Sequence, residues 1–167
     1  MATPDAPPAH GLGRPREGRQ VIDFRLTDEN RLVQETVRDF AEREILPNIR
    51  EWDEKGEVHR EIFAKLAELG LLGAPIWEQW GGSGMDYLSF GIICEELERA
   101  DTAFRVVQSV HVGLNSLTLM QWGTEEQKQR WLVPQAKGEK LATFGLTEPG
   151  VGTDAGYLAT TARRDGD

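Results

Sequence analysis

The stretch LTDENRLVQETVRDFAEREILP, residues 26–47, limits the fold more than any other part of the chain. It puts Leu32, Val33, Thr36, Val37, Phe40, Ala41 and Ile45 at helical spacing. Apolar residues three and four apart share one stripe only on an α-helix, and such a stripe must be buried against something. Thr27 is placed to cap the start, Asp28 and Glu29 fill the first turn, and Pro47 marks the end. The same pattern recurs downstream. REIFAKLAELG predicts a second helix with Ile62, Phe63, Leu66 and Leu69 inward and Gly70 as its stop. A third fits residues 86–100, its faces defined by Leu88, Ile92, Glu95 or Glu96, and Leu97. Between them lies LLGAPIWEQWGGSGMD, a glycine-rich loop with two tryptophans. A fourth helix runs from Thr102 to Trp122, apolar at Val106, Val107, Val110, Leu114, Leu117 and Met120. Gly123-Thr124 breaks it, and Thr124 with Gln127 forms a capping box for EEQKQRWLVPQAKG.

After Gly138 the pattern changes. KLATFGL and YLATTARRDGD are short, rich in Thr, Tyr, Leu and Phe, and separated by a glycine loop; both read as strands. The expected fold is therefore mainly α: an N-terminal all-helical domain followed by the first strands of a β domain. The expected divisions are a disordered tail at 1–22, a helical domain at 23–138, and the start of the β domain at 139–167. The tail is assigned from composition, since its first 20 residues hold four prolines and three glycines. Asp165-Gly166 is a strong hairpin-turn pair, yet only Asp167 follows. A hairpin needs a return strand, so the chain is expected to be part of a longer protein; a loose C-terminal end is the alternative.

Composition excludes several functions. With 28 acidic against 19 basic residues the formal charge is −9, which argues against nucleic acid as a partner. A local nest of N–H groups can still hold an anion. Cys94 is the single cysteine, so no intrachain disulfide is possible, and its helical neighbours predict burial. His10, His59 and His111 lack the spacing of metal ligands, and no metal is expected. No apolar run reaches the ~20 residues of a membrane span. The N-terminus has neither the apolar core of a secretory signal nor the character of a transit peptide, which gives a cytoplasmic location as the default.

The chemistry is concentrated in FGLTEPGVGTDAG, residues 144–156. Pro149 stops a preceding strand from continuing as a ladder. Gly150, Gly152 and Gly156 permit positive φ, so that consecutive N–H groups could converge on an anion. Thr147 and Thr153 add hydroxyls. No lysine completes a Walker loop, and G-x-G-x-x-x-G ahead of a strand is not a dinucleotide fingerprint. Taken alone, the loop suits a phosphate, the polar edge of a heterocycle, or a plain turn.

The order of the pieces narrows this. ELGLLGAPIWEQWGGSGMD, then GTEEQKQRWL, then a strand ending in GLTEPGVGTD, resembles the acyl-CoA dehydrogenase family of flavoproteins from about Phe24 onward. Val151, Tyr157 and Trp80 depart from that family's usual residues, and a β-branched Val151 is expected to tighten or distort the loop. The resemblance implies an FAD enzyme catalysing α,β-desaturation of acyl-CoA thioesters, with acyl-CoA oxidases and flavin monooxygenases sharing the fold. A non-catalytic half-length partner subunit is the alternative of a different class. It implies that Phe144, Gly145, Leu146 and Thr147 lie along the flavin, and that Gly152 and Thr153 meet the FAD pyrophosphate and the substrate side. Arg105 would stand at the far end of the acyl pocket, favouring a short or carboxylated acyl group; a surface pairing with Glu98 or Asp101 is the other reading of it. No catalytic base is expected within these residues, since the family supplies it from its C-terminal half. Glu148 and Asp154 are read as fixing the loop. Electron-transfer flavoprotein as acceptor and a homo-dimer or tetramer are implied likewise.

Overall fold

The computed structural model describes residues 25–57 and 59–166; the proposed tail at 1–22 lies outside them. Helix α1, Asp28–Phe40, begins with a capping box: the Thr27 hydroxyl accepts the Asn30 N–H while the Asn30 side chain accepts from the Thr27 N–H. It continues as a π-type turn over Ala41–Ile45. Val37, Phe40, Ala41 and Ile45 are buried as the periodicity requires, but Leu32 is 65% exposed. A short helix that the sequence pattern did not reveal follows, α2 at Ile49–Lys55. It is seven residues long, too short for two repeats of an apolar stripe, and it turns out of the helix at Gly56 in the left-handed region. Helix α3, Arg60–Glu68, buries Ile62, Phe63 and Leu66, whereas Leu69 stands at its end and is half-exposed.

The loop after α3 is a built object. Its two short 3-10 turns, Leu71–Gly73 and Glu78–Trp80, are tied by main-chain bonds from Ser83 N–H to Gly73 O, Met85 N–H to Ala74 O and Gly84 N–H to Ile76 O. Gly82 sits where a Cβ would come 2.1 Å from the Ile76 carbonyl oxygen, so only glycine fits.

Helix α4, Tyr87–Ala100, is capped by Asp86, which accepts the Ser89 N–H at 2.7 Å. It packs along α1, with Ile93 and Leu97 in the shared core and Ile92 also buried; Leu88 points outward, 53% exposed. Between the two helices Glu96, 1% exposed, takes a two-pronged bond from Arg38 (3.0 and 2.7 Å) and a third from Arg99 (2.6 Å). The Arg38 hydrogen bond, aided by Arg99 and opposed by desolvation, holds the Glu96 carboxyl below the usual carboxylate range.

The helix expected at 102–122 is continuous but changes character inside. It runs as α5, Thr102–Gln108, then a π-type stretch, Ser109–Ser116, then α6, Leu117–Trp122. The expected apolar stripe is displaced. Phe104, Gln108, His111, Val112 and Ser116 are buried, while Val106 and Leu114 are 39% and 45% exposed. The wider i→i+5 turn shifts the register that a 3.6-residue period assumes. The capping box at Thr124 and Gln127 then starts α7, Glu125–Gln127, which continues through a π-type stretch, Lys128–Leu132, into α8, Val133–Ala136. Leu132 and Ala136 pack with Ile76 and Trp80 in a second core cluster, and Gly138 ends the helix at φ 70°.

Neither segment read as a strand joins a ladder among the described residues. The one bridge beyond the helices is antiparallel, between Glu148 and Val151. A strand is held by its neighbours, and these residues contain no partner for either segment.

Candidate functional site

Residues 141–147 leave the helical domain as extended chain with two anchors. Ala142 N–H donates to His111 Nδ1 at 3.0 Å, and Asn115 Nδ2 donates to Thr143 O at 3.0 Å. From Phe144 to Thr147 the main chain makes no hydrogen bond among the described residues. Phe144, Gly145 and Thr147 are exposed and Leu146 is half-buried. A free edge of N–H and C=O groups therefore follows directly from the two anchors.

The glycine loop takes a different shape from the anion nest its composition suggested. Gly150, Gly152 and Gly156 are absent from the positive-φ glycines. Instead Glu148 and Val151 exchange both main-chain bonds, at 3.0 and 3.1 Å, closing a tight turn over Pro149-Gly150. A Cβ at Gly145, Gly150 or Gly152 would meet no atom of the chain within 4 Å, so the chain's own packing does not demand glycine there. Val151 is the partner of Glu148 in that bridge. The Glu148 carboxylate accepts the Ala159 N–H at 2.9 Å, the Thr160 N–H at 2.8 Å and the Thr160 hydroxyl. The hydroxyl bond above all, with the two N–H groups, keeps this carboxyl below its ordinary value. Gly152 and Thr153 are exposed within the loop so closed.

Arg105 lies on α5 and donates from Nε to Glu98 Oε2 at 2.6 Å, one of the two pairings weighed from the sequence. Its Nη groups have no hydrogen-bond partner among the described residues, and no hydrogen bond there joins it to residues 144–153. A cavity of about 350 Å³ is lined by Trp52, Phe63, Phe104 and Val107, and none of the residues assigned to a cofactor or substrate from the sequence lines it. Cys94 is half-buried on α4, and burial pushes its thiol up. Among the described residues no group of three or more His, Cys, Asp or Glu side chains is placed to hold a metal. No helix there is long and apolar enough to cross a membrane.

Sequence reasoning missed His111 and Asn115 as anchors. Their signal was two polar side chains four apart inside the apolar run VHVGLNSLTLM. His111 is fully buried, with its Nε2 3.1 Å from Gln135 O, and desolvation lowers its proton affinity against the opposing Gln135 carbonyl.

A capped helical domain that hands over to an open extended edge and a tied glycine loop is the start of an acyl-CoA dehydrogenase architecture. The profile of the acyl-CoA dehydrogenase N-terminal domain matches residues 27–139, and the chain belongs to that family. It is 44% identical over 146 residues to the short-chain specific acyl-CoA dehydrogenase of Clostridium acetobutylicum, covering 87% of this chain and 38% of that one. The butyryl-CoA dehydrogenase structure from Megasphaera elsdenii aligns with TM-score 0.76 and 40% identity, over 80% of this chain and 36% of the other. A glutaryl-CoA dehydrogenase from Mycobacterium smegmatis, solved in complex with FADH2, aligns with TM-score 0.80 and 36% identity, over 84% and 36%. The chain thus spans less than two fifths of the length of these relatives.

Proposed function

We propose that the chain is the N-terminal part of an FAD-dependent acyl-CoA dehydrogenase that desaturates short-chain acyl-CoA thioesters between the α and β carbons. In this reading residues 23–138 form the helical domain and 139–167 open the β domain. The observation that carries it is the unpaired, exposed main chain of residues 144–147 at the end of a domain of this family. These residues fit the cofactor. They offer free N–H and C=O groups, a threonine hydroxyl and glycines with nothing behind them, as the polar rim of a flavin requires.

When bound, FAD supplies the hydride acceptor of the desaturation. Phe144, Gly145, Leu146 and Thr147 would lie along its ring system, donating and accepting through main chain and the Thr147 hydroxyl. Gly152 and Thr153 would meet the pyrophosphate and the substrate side. Glu148 is not the base that takes the α proton, because its carboxylate is committed to Ala159 and Thr160. That base comes from the part of the protein beyond these residues. Arg105, with Nε on Glu98, keeps its Nη fork for a ligand and would close the acyl pocket against long chains or pair with a terminal carboxylate. An electron-transfer flavoprotein takes the electrons onward, and the working protein is a homo-oligomer.

The full-length protein should purify with flavin absorbance and reduce a dye with butyryl-CoA. A colourless, flavin-free full-length protein with no turnover overturns the reading. Arg105→Ala should change kcat/KM for glutaryl-CoA relative to butyryl-CoA by tenfold or more, the order of ~1.4 kcal/mol for a lost charge pair. Unchanged values for both would remove Arg105 from the pocket and leave the rest standing.

A further inference from the structure

We infer that His111 and Asn115 are positioning residues: together they fix the register of residues 142–147 so that the edge used for the cofactor faces one way. This rests on the flavin reading of residues 144–147. The two side chains come from one turn of the π-type stretch Ser109–Ser116 and grip adjacent residues of one segment. Their two bonds are the only hydrogen bonds made by residues 141–147 among the described residues.

Each grip has one solution. A main-chain N–H can only donate, so His111 Nδ1 accepts from Ala142 and the ring proton is on Nε2, donating to Gln135 O at 3.1 Å. Ser116, buried like His111, places its hydroxyl 3.0 Å from both the His111 carbonyl and the Gln135 side-chain oxygen and shares its proton between them. The imidazole therefore cannot turn without breaking bonds to α8 and to the extended segment at once. Asn115 spends both amide protons, one on Val110 O at 3.3 Å and one on Thr143 O at 3.0 Å. The widened turn of the helix is what makes these five-apart bonds from Asn115 and Ser116 possible.

Register matters here more than affinity. Side chains of extended chain alternate, so a slip of one residue would exchange Gly145 and Thr147 with Phe144 and Leu146. The Thr147 hydroxyl would then face away from the ligand. Gripping both Ala142 N–H and Thr143 O excludes the slip, because a shifted segment presents the wrong group to each side chain.

The test uses the full-length protein and three variants: Asn115→Leu, His111→Leu and His111→Asn. Asparagine carries an oxygen near the place of Nδ1 and restores the acceptor. Hydrogen exchange of the Ala142 N–H, the one amide of residues 142–147 that is hydrogen-bonded among the described residues, measured on protein stripped of flavin, should quicken about tenfold in both leucine variants and stay near wild type in His111→Asn, with α1 and α4 unchanged. The FAD dissociation constant should follow the same order. Unchanged exchange in Asn115→Leu, or His111→Asn as loose as His111→Leu, overturns the inference. Asn115 is only half-buried, so its variant decides the matter even where His111→Leu does not fold. Loss of flavin binding in wild type, with the exchange pattern intact, would refute the flavin reading and leave the grip in place.

Discussion

Glu96 is a carboxylate 1% exposed that survives in the interior because three N–H groups from Arg38 and Arg99 reach it. Both arginines keep their outer faces in water, at 42% and 53% exposure, so the cluster ties α1 to α4 without burying three charges. Glu96→Gln should lower stability at neutral pH by about 1.5–3 kcal/mol, the range for hydrogen bonds to charged groups. The sign with pH follows from the lowered carboxyl. Its stabilisation is present above the unfolded value of 4.5 and is lost as pH falls through the folded value. Denaturant midpoints of wild type and Glu96→Gln should therefore converge in acid; a constant gap down to low pH would contradict this account. Gly82 makes a second point at this scale. Gly82→Ala forces a Cβ against Ile76 O and should cost about 1–3 kcal/mol by overpacking, read from the shift of the thermal midpoint.

At the scale of elements, the caps carry the helix boundaries. Thr124→Ala removes one half of the capping box and should destabilise by about 1 kcal/mol, with Thr124→Ser close to wild type in the same melts. Such boundaries were legible in the sequence because they are local chemistry: Thr27, Asp86, Gly70, Thr124 and Gly138 all act within a few residues of themselves. The core of α1 and α3 was legible for the same reason. The face of α5 was not. A 3.6-residue period placed Val106 and Leu114 inward, whereas the π-type stretch turns Gln108, His111 and Ser116 inward. The triad on Glu96 was invisible too, because its partner Arg38 is 58 positions away. Residues 140–146 read as a strand by composition, but composition does not supply a neighbour to pair with. The glycines of residues 150–156 suggested an anion nest, and the pair of bonds between Glu148 and Val151 won instead.

Across the described residues, the core lies among the helices and the extended edge at 144–147 is unpaired. Two core clusters, one around Phe40, Leu66 and Leu97 and one around Ile76 and Leu132, close within residues 27–139. The edge at 144–147 has backbone groups that no residue of the described chain occupies and that another strand or a ligand could take up. The 167 residues alone should show no dye reduction with an acyl-CoA, while the full-length protein should; turnover by the isolated chain would place a base within it. The sequence marked residues 144–153 as the candidate site. The anchors and the tie at Glu148 join residues 11 to 31 positions apart, which no local pattern records.

That tie has a consequence for how such a site can vary. Glu148 clasps residues 11 and 12 positions ahead of it, so everything from Pro149 to Leu158 hangs from a fastened pair of ends. A loop clasped at its neck can exchange its contents without moving the frame it hangs on. Val151 and Tyr157 both lie inside the clasp, between its two fastened ends.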